Sequence, residues 1–184
     1  MNKYLAILGL IILISGCANP LNKVTSDNYA DTCSQAEDSG RLDIAEEACY
    51  RAAVNVEWGN LGDELKSERM YNLARIKRRV GKLDEAEKYF IETIEIEDTI
   101  TPAREIRIGR RLAELAAIYY EQEKYQEAAQ YLERLLPLSN LYSGKEKGFL
   151  ANLYHHYAIE LSGSEISRKL ELTSIELGFS EGGK

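Results

Sequence analysis

The amino-acid sequence predicts an all-α protein, an α-solenoid built from about four antiparallel helix pairs. The first observation is an internal repeat: three similar stretches centre on Ala45, Ala86 and Ala128, which lie 41 and 42 residues apart. The second is that apolar residues on both sides of each alanine recur at the spacing of an amphipathic helix. The third is that no stretch alternates between apolar and polar residues for long enough to predict a strand.

The composition limits the classes of function. The 184 residues include 23 Lys and Arg against 30 Asp and Glu, a net charge of −7, which argues against nucleic acid as the main partner because phosphates require a basic surface. His155 and His156 are the two histidines, and consecutive residues of a helix point about 100° apart, so they cannot bind one metal ion together. Sequence fingerprints of common enzyme sites are missing. We therefore expect no catalysis, no cofactor and no metal.

Residues 1–16 are predicted to be a secretory signal peptide. One cation, Lys3, precedes an apolar run over residues 4–14, and small residues then precede Cys17. This order is typical of a signal peptide. The apolar run is too short to be a transmembrane anchor, which needs about 20 residues.

The four residues Ile14-Ser15-Gly16-Cys17 resemble the lipobox of bacterial lipoproteins. The resemblance implies that Cys17 carries diacylglycerol, that the chain is cut just before it, and that its new amine is acylated, for example with palmitate. Residues 17–25 would then form a short lipidated tether. Ala18, in place of an aspartate, implies sorting to the outer membrane, in the inner leaflet facing the periplasm.

The turns of the helix pairs can be placed in chain order. Gly40 and Gly81 suit the left-handed residue that ends the first helix of a pair. Asp43 and Asp84 are expected to cap the second helices. Pro137 lies where the second helix of the third pair is expected to stop.

These repeats resemble the tetratricopeptide repeat (TPR). The matching residues of repeats 26–59, 67–100 and 109–142 are, in order, Tyr29, Cys33, Ala45, Cys49, Ala52; Met70, Leu73, Ala74, Ala86, Phe90; and Leu112, Leu115, Ala116, Tyr119, Ala128, Leu132. The period exceeds the usual length of about 34 residues, as in kinesin-light-chain-like repeats. The resemblance implies a TPR-like superhelix over residues 26–178.

A fourth, atypical repeat is expected over residues 147–178. Phe149, Leu150 and Leu153 begin an apolar helical face, and Ser162-Gly163 interrupts it before a second apolar helix. A terminal repeat caps a solenoid because its outer side meets water. Residues 179–184 are expected to be a frayed tail.

Cys33 and Cys49 occupy TPR positions on the facing sides of the two helices of the first repeat. Export would place them in an oxidising compartment, where such a pair forms a disulfide. The alternative is that they are two small buried residues. Both interpretations stay open, because a bridge also requires Cα atoms within about 7 Å.

In TPR proteins the first helix of each repeat lines a concave groove. The resemblance places six residues in that groove: Tyr71, Arg75, Arg78, Arg79, Arg110 and Tyr120. Arginines there could bind the carboxylates of an acidic or C-terminal peptide. The alternative is structural: these arginines, together with Lys77 and Lys82, compensate helix dipoles and form ion pairs with the chain's own glutamates, Glu85, Glu87, Glu92 or Glu95.

Together these features predict a non-enzymatic scaffold, anchored by an N-terminal lipid and facing the periplasm, that binds a protein or peptide. TPR lipoproteins occur in families that assemble outer-membrane barrels, pilus secretins and peptidoglycan machinery. The alternative is a structural lipoprotein in which the array associates with copies of itself.

Overall fold

The computed structural model describes residues 18–180, and every regular element within them is helical. Eight α-helices and one 3₁₀ helix follow one another: α1 Pro20–Asp38, α2 Leu42–Trp58, α3 Asp63–Arg79, α4 Leu83–Thr99, α5 Glu105–Glu121, α6 Tyr125–Leu135, the 3₁₀ helix Leu136–Leu141, α7 Gly144–Glu160 and α8 Glu165–Glu176. The predicted all-α class is confirmed.

The helices pack as four antiparallel pairs, α1 with α2, α3 with α4, α5 with α6 and α7 with α8, and successive pairs stack on one another. This is a TPR-like solenoid, as predicted. Its long period comes mainly from long helices, because α2, α3, α4 and α5 each contain 17 residues. The repeated alanines Ala45, Ala86 and Ala128 are fully buried, since the paired helices approach closely at those positions.

Two apolar cores lie along the array. The larger core joins the last three helix pairs and contains fully buried large side chains such as Phe90, Leu112 and Tyr157. The smaller core holds the first pair against α3, where Leu73 and Ile76 cover small residues of α1 and α2. The first pair is therefore attached through small side chains.

The turns within the pairs follow one pattern. Gly40 and Gly81 have φ values of 72° and 79°, so the predicted left-handed residue is confirmed at both, and Glu123 takes the same conformation in the third pair. Helix α6 ends at Leu135 and the 3₁₀ helix begins, in agreement with the stop predicted at Pro137.

The predicted capping residues were wrong. The N-caps of α2 and α4 are Arg41 and Lys82, and neither side chain caps its helix. Only one residue separates each left-handed glycine from the next helix, so Asp43 and Asp84 lie within the first turn. There their carboxylates face the positive end of the helix dipole.

The first helix begins inside the segment that was expected to be a tether. Asn19 is the N-cap of α1 and its Oδ1 accepts a hydrogen bond from the Leu21 amide at 3.0 Å, while Pro20 takes the first helical position, which favours helix initiation. Most of the tether expected over residues 17–25 is thus helical. The predicted signal peptide and Cys17 lie outside the described residues.

The C-terminal end is also more ordered than expected where it is described. The Phe179 ring stacks on the His155 ring, with centroids 3.8 Å apart, so the expected frayed tail does not begin at Phe179. Residues 181–184 lie outside the described part of the chain. Between residues 18 and 180, no helix is long and apolar enough to cross a membrane.

Candidate partner-binding face

The first helices of the last three pairs, α3, α5 and α7, contact one another in succession. We call the surface that they form the first-helix face. Tyr71, Arg75, Arg78 and Arg79 lie on α3, and Arg110 and Tyr120 lie on α5. Five of these six residues line two neighbouring cavities, whereas Tyr120 lies elsewhere.

The first cavity, of about 360 Å³, is lined by arginines and glutamates, and we call it the arginine cavity. Its residues are Arg75, Arg78, Arg79, Glu114 and Glu121. Arg78 bridges α3 to α5, because its guanidinium donates to both Glu114 and Glu121 at 2.6 Å. Burial disfavours the charge of Arg78, but these two carboxylates outweigh that effect and raise its pKa.

The other arginines are paired in the same way. Arg75 and Arg79 donate to one carboxylate oxygen of Glu37 on α1, at 2.7 and 2.8 Å. Arg110 on α5 makes two hydrogen bonds to Glu146 on α7, at 2.6 and 3.2 Å. Each arginine therefore joins its own first helix to a neighbouring first helix.

The glutamate partners named from the sequence were wrong for the groove arginines, although the ion pair of Lys77 with Glu85 agrees with that alternative. Glu85, Glu87 and Glu92 instead pair with Lys77, Lys124 and Lys66, respectively. The actual partners of the arginines lie 36 to 43 residues away in the sequence, about one repeat along the chain. Such distant partners are not found by looking for opposite charges on the same helix. The arginine cavity is thus nearly neutral and not a strongly basic groove.

The second cavity, of about 210 Å³, lies where α3, α5 and α7 meet, and we call it the inter-repeat pocket. Its lining residues are Tyr71, Arg110, Ala113, Glu114, Tyr142, Lys145, Glu146, Phe149 and Leu150. Most of its surface is apolar, and Phe149 is partly exposed in it. Lys145 makes no ion pair with any described residue, so it adds a free positive charge at this pocket.

A glycine of α5 makes room for one wall of the pocket. The Tyr142 hydroxyl donates to the Ile106 carbonyl at 2.8 Å, and a Cβ atom on Gly109 would lie 2.1 Å from that hydroxyl. Burial raises the pKa of Tyr142 to about 12, so the hydroxyl keeps its proton at neutral pH. Tyr142 was not predicted to line a site, although a glycine inside a helix was a usable signal of a close contact.

Charged residues are buried behind the pocket, at the contact between the second and third pairs. Glu97 is fully buried and Arg111 is 2% exposed. One oxygen of Glu97 accepts hydrogen bonds from Ser67 at 2.6 Å and from Arg107 at 3.0 Å, and lies 3.1 Å from Arg111. Among the described residues, the other oxygen of Glu97 and Nε of Arg111 have no hydrogen-bond partner. We call these four residues the buried charge cluster.

The buried charge cluster supports the wall of the inter-repeat pocket. The Arg111 guanidinium lies 4.7 Å from the centre of the Tyr71 ring, a cation–π distance, and Tyr71 also packs edge-on against Phe90. Burial lowers the pKa of Arg111 to about 10, although Glu97 acts in the opposite direction. Arg111 therefore stays charged at neutral pH and holds the Tyr71 ring from behind.

The buried charge cluster was not predicted from the sequence. The repeat position of Ser67 is also a serine one repeat earlier: Ser26 and Ser67 lie 41 residues apart, and both are fully buried. The Ser26 hydroxyl donates to the Ala52 carbonyl at 2.8 Å. That repetition was the available signal. It could not identify Glu97 and Arg111, because charged residues are seldom buried and sequence alone does not show that they are paired.

Tyr120 belongs to a separate aromatic group. Its ring lies 5.3 to 5.6 Å from the rings of Tyr125, His156 and Tyr157. Tyr120 therefore does not share a cavity with the arginines.

The two histidines have different neighbours. The His155 ring stacks on Phe179, whereas His156 lies beside Tyr120. The described residues hold no group of three or more side chains suited to a metal ion.

Cys33 and Cys49 are joined in the structure, with Cα atoms 5.2 Å apart. This distance is well within the range that a disulfide can span. Both residues are buried in the smaller core. The bond connects the C-terminal half of α1 to the middle of α2.

Comparisons with known proteins agree with this architecture. A family model described as tetratricopeptide repeat matches residues 68–96 and 110–140. The structure of BtubC (BKLC) from P. vanneervenii is similar, with a TM-score of 0.69 and 18% identity over 86% of this chain and 67% of that chain. A comparison with curated proteins gives no match.

Structures of a kinesin-light-chain-like protein from Podosopora anserina, with nearly identical TPR-like repeats, are also similar. One has a TM-score of 0.65 and 15% identity over 83% of this chain and 74% of that chain. A variant of the same protein has a TM-score of 0.61 and 17% identity over 83% of this chain and 70% of that chain. Arrays of TPRs are generally protein–protein interaction scaffolds and typically non-catalytic. This chain has a TPR-like solenoid fold that resembles the kinesin-light-chain-like TPR structures, and the tetratricopeptide-repeat model matches two stretches of it.

Proposed function

We propose that this chain is a non-enzymatic, lipid-anchored scaffold in the periplasm that binds a protein or peptide partner on its first-helix face. The observation that carries the proposal is the inter-repeat pocket, to which three first helices contribute side chains. The scaffold would serve in assembly of an envelope complex, such as a pilus secretin, an outer-membrane barrel or the peptidoglycan machinery.

The chemistry of the inter-repeat pocket indicates its occupant. The apolar surface of Phe149 and Leu150 lies beside the aromatic rings of Tyr71 and Tyr142, and such surfaces bind apolar or aromatic anchor residues. Lys145 adds a cation without an ion pair among the described residues. The pocket therefore suits a peptide segment that carries an apolar side chain next to a carboxylate. The arginines, already paired, shape the face and do not provide open positive charge.

Two features support the proposed location. The bond between Cys33 and Cys49 is typical of proteins in an oxidising compartment such as the periplasm. The lipobox-like residues before Cys17 and the alanine after it support a lipid anchor in the inner leaflet of the outer membrane.

The pocket can be tested with two substitutions on one helix. Phe149 lies in the pocket and Ile159 lies outside it, and both are exposed apolar residues of α7. We expect Phe149→Glu to reduce capture of a given partner by about tenfold or more, since a charge would replace the pocket's apolar anchor contact. Ile159→Glu should leave capture unchanged. The measurement is crosslinking in native envelope membranes, with one identified partner quantified by mass spectrometry.

Equal capture by the Phe149→Glu variant and the wild-type protein would contradict the proposal. Equal loss in both variants would also contradict it, because the effect would then not depend on the pocket. Circular dichroism of both variants shows whether the helical fold is retained.

A second candidate function is self-association, favoured by the outer surface of the last helix. Leu172 and Ile175 are exposed on α8, whereas Ile166 and Leu170 are buried against the array. The outer side of a terminal repeat is ordinarily polar, so this apolar surface favours contact with a second copy.

For self-association, the decisive variant is Leu172→Glu with Ile175→Glu. If copies meet through α8, the wild-type chain from Ala18 onward sediments as a concentration-dependent dimer in analytical ultracentrifugation, and the variant sediments as a monomer because two charges would be buried in the interface. A wild-type protein that stays monomeric up to high concentration would exclude this function.

A further inference from the structure

The two most exposed large apolar side chains of the described residues lie at one end of the first helix pair. Trp58 is 76% exposed and Leu21 is 75% exposed, and Val24 is exposed on the same side of α1 as Leu21. The pair is antiparallel, so the start of α1 lies beside the end of α2: the Asn19 amide donates to the Gly59 carbonyl at 2.9 Å. We call this region, with its three apolar side chains, the α1/α2 end.

This end lies very close to the proposed lipid. Only Ala18 and Asn19 separate Cys17 from the first residue of α1. Asn19, which is already bonded to α2, follows Cys17 by two residues, a span of at most about 7 Å when fully extended. A lipid on Cys17 would therefore hold the α1/α2 end at the membrane surface. This step rests on the lipid anchor of the proposed function.

The chemistry of the α1/α2 end suits the boundary between lipid headgroups and acyl chains. Tryptophan is enriched at this boundary because its ring is apolar and its N–H is polar. Lys23 is paired with Asp27 at 2.6 Å, and Glu57 and Asp63, close to Trp58 in the sequence, add negative charge. Attraction to anionic lipid is therefore not the driving force, and apolar contact with zwitterionic lipid is favoured.

We infer that Leu21, Val24 and Trp58 insert into the interface of the zwitterionic bilayer that holds the lipid of Cys17. The array is then docked by its first helix pair and does not swing on a flexible tether. The remaining pairs extend from this pair, so the first-helix face is presented at a fixed position relative to the membrane.

The single tryptophan of the chain provides the test. The mature lipidated protein, which begins at Cys17, is reconstituted in phosphatidylethanolamine-rich vesicles with or without brominated acyl chains, which quench a tryptophan in contact with them. We expect the brominated lipid to remove most of the Trp58 emission. The matched control carries Trp58→Phe and Ile159→Trp, which moves the tryptophan to an exposed site of α7. Its emission should not be quenched.

Three results would overturn the inference. Trp58 emission that is unaffected by brominated lipid would show that this end does not enter the bilayer. Equal quenching in the control would show that the array lies along the membrane without a preferred end. The third result is a blue shift of the Trp58 emission that brominated lipid does not quench and that is lost when the protein is diluted to one molecule per vesicle. It would show that a second copy of the chain, and not lipid, covers the α1/α2 end.

Mass spectrometry of the reconstituted protein separates this inference from its premise. A mature N-terminus without lipid at Cys17 would remove the anchor, and the inference with it. Lipid at Cys17 without quenching would refute the inference alone. Partner capture through the inter-repeat pocket is measured independently and does not depend on either result.

Discussion

Replacing Glu97 by leucine is expected to destabilise the protein by about 3–5 kcal/mol, the range observed when one partner of a buried ion pair is removed. The substitution would leave Arg111, which is 2% exposed, without its carboxylate and next to Arg107. Glu97 opposes the effect of burial on the pKa of Arg111, so without it burial and the nearby Arg107 would both disfavour the charged guanidinium. The measurement is urea denaturation at pH 7, which compares the free energies of unfolding.

The neighbouring residue provides the matched control. Asp98 forms an exposed ion pair with Arg134 at 2.8 Å, and such pairs contribute roughly 0–1 kcal/mol. Asp98→Ala should therefore have little effect. Adding Arg111→Met to Glu97→Leu removes the unpaired buried charge and should recover part of the loss. A Glu97→Leu variant no less stable than Asp98→Ala would show that the buried charge cluster does not hold the repeats together.

Loss of the bond between Cys33 and Cys49 is expected to destabilise the chain by ~3 kcal/mol, since the bond closes a loop of about 15 residues and the sequence separation is 16. The effect should be concentrated in the first pair, because α1 buries only Ser26, Cys33 and Ala36 among its residues. Substitution of both cysteines by alanine avoids leaving a hydroxyl in the core. Hydrogen exchange of α1 and chemical denaturation without reductant are the measurements.

Reductant supplies the control for this prediction. With dithiothreitol, the wild-type protein and the double-alanine variant should have similar stability, because neither contains the bond. Thiol labelling of unfolded, unreduced protein is the direct check. Two reactive thiols at Cys33 and Cys49 would show that the pair is reduced, which was the alternative left open by the sequence.

The groove residues show how far a resemblance can predict a site. Repeat positions placed Arg75, Arg78 and Arg79 on α3 and Arg110 on α5, where the structure has them lining two cavities. Their glutamate partners were assigned incorrectly, because those partners belong to other repeats. The pocket next to them was missed, because Tyr142 and Lys145 enter it from the segment after the 3₁₀ helix, where the repeat pattern breaks.

The sequence alone determined the local architecture: helices from apolar spacing, the repeat from Ala45, Ala86 and Ala128, and the turns from Gly40 and Gly81. These features are local, because the hydrogen bonds of a helix join residues only four apart. The tertiary structure decided which charges are paired and buried. The contact of Arg111 with Glu97 and that of Arg78 with Glu114 depend on how successive pairs stack. That stacking is set by the packing of both helix surfaces at once, and no single segment encodes it.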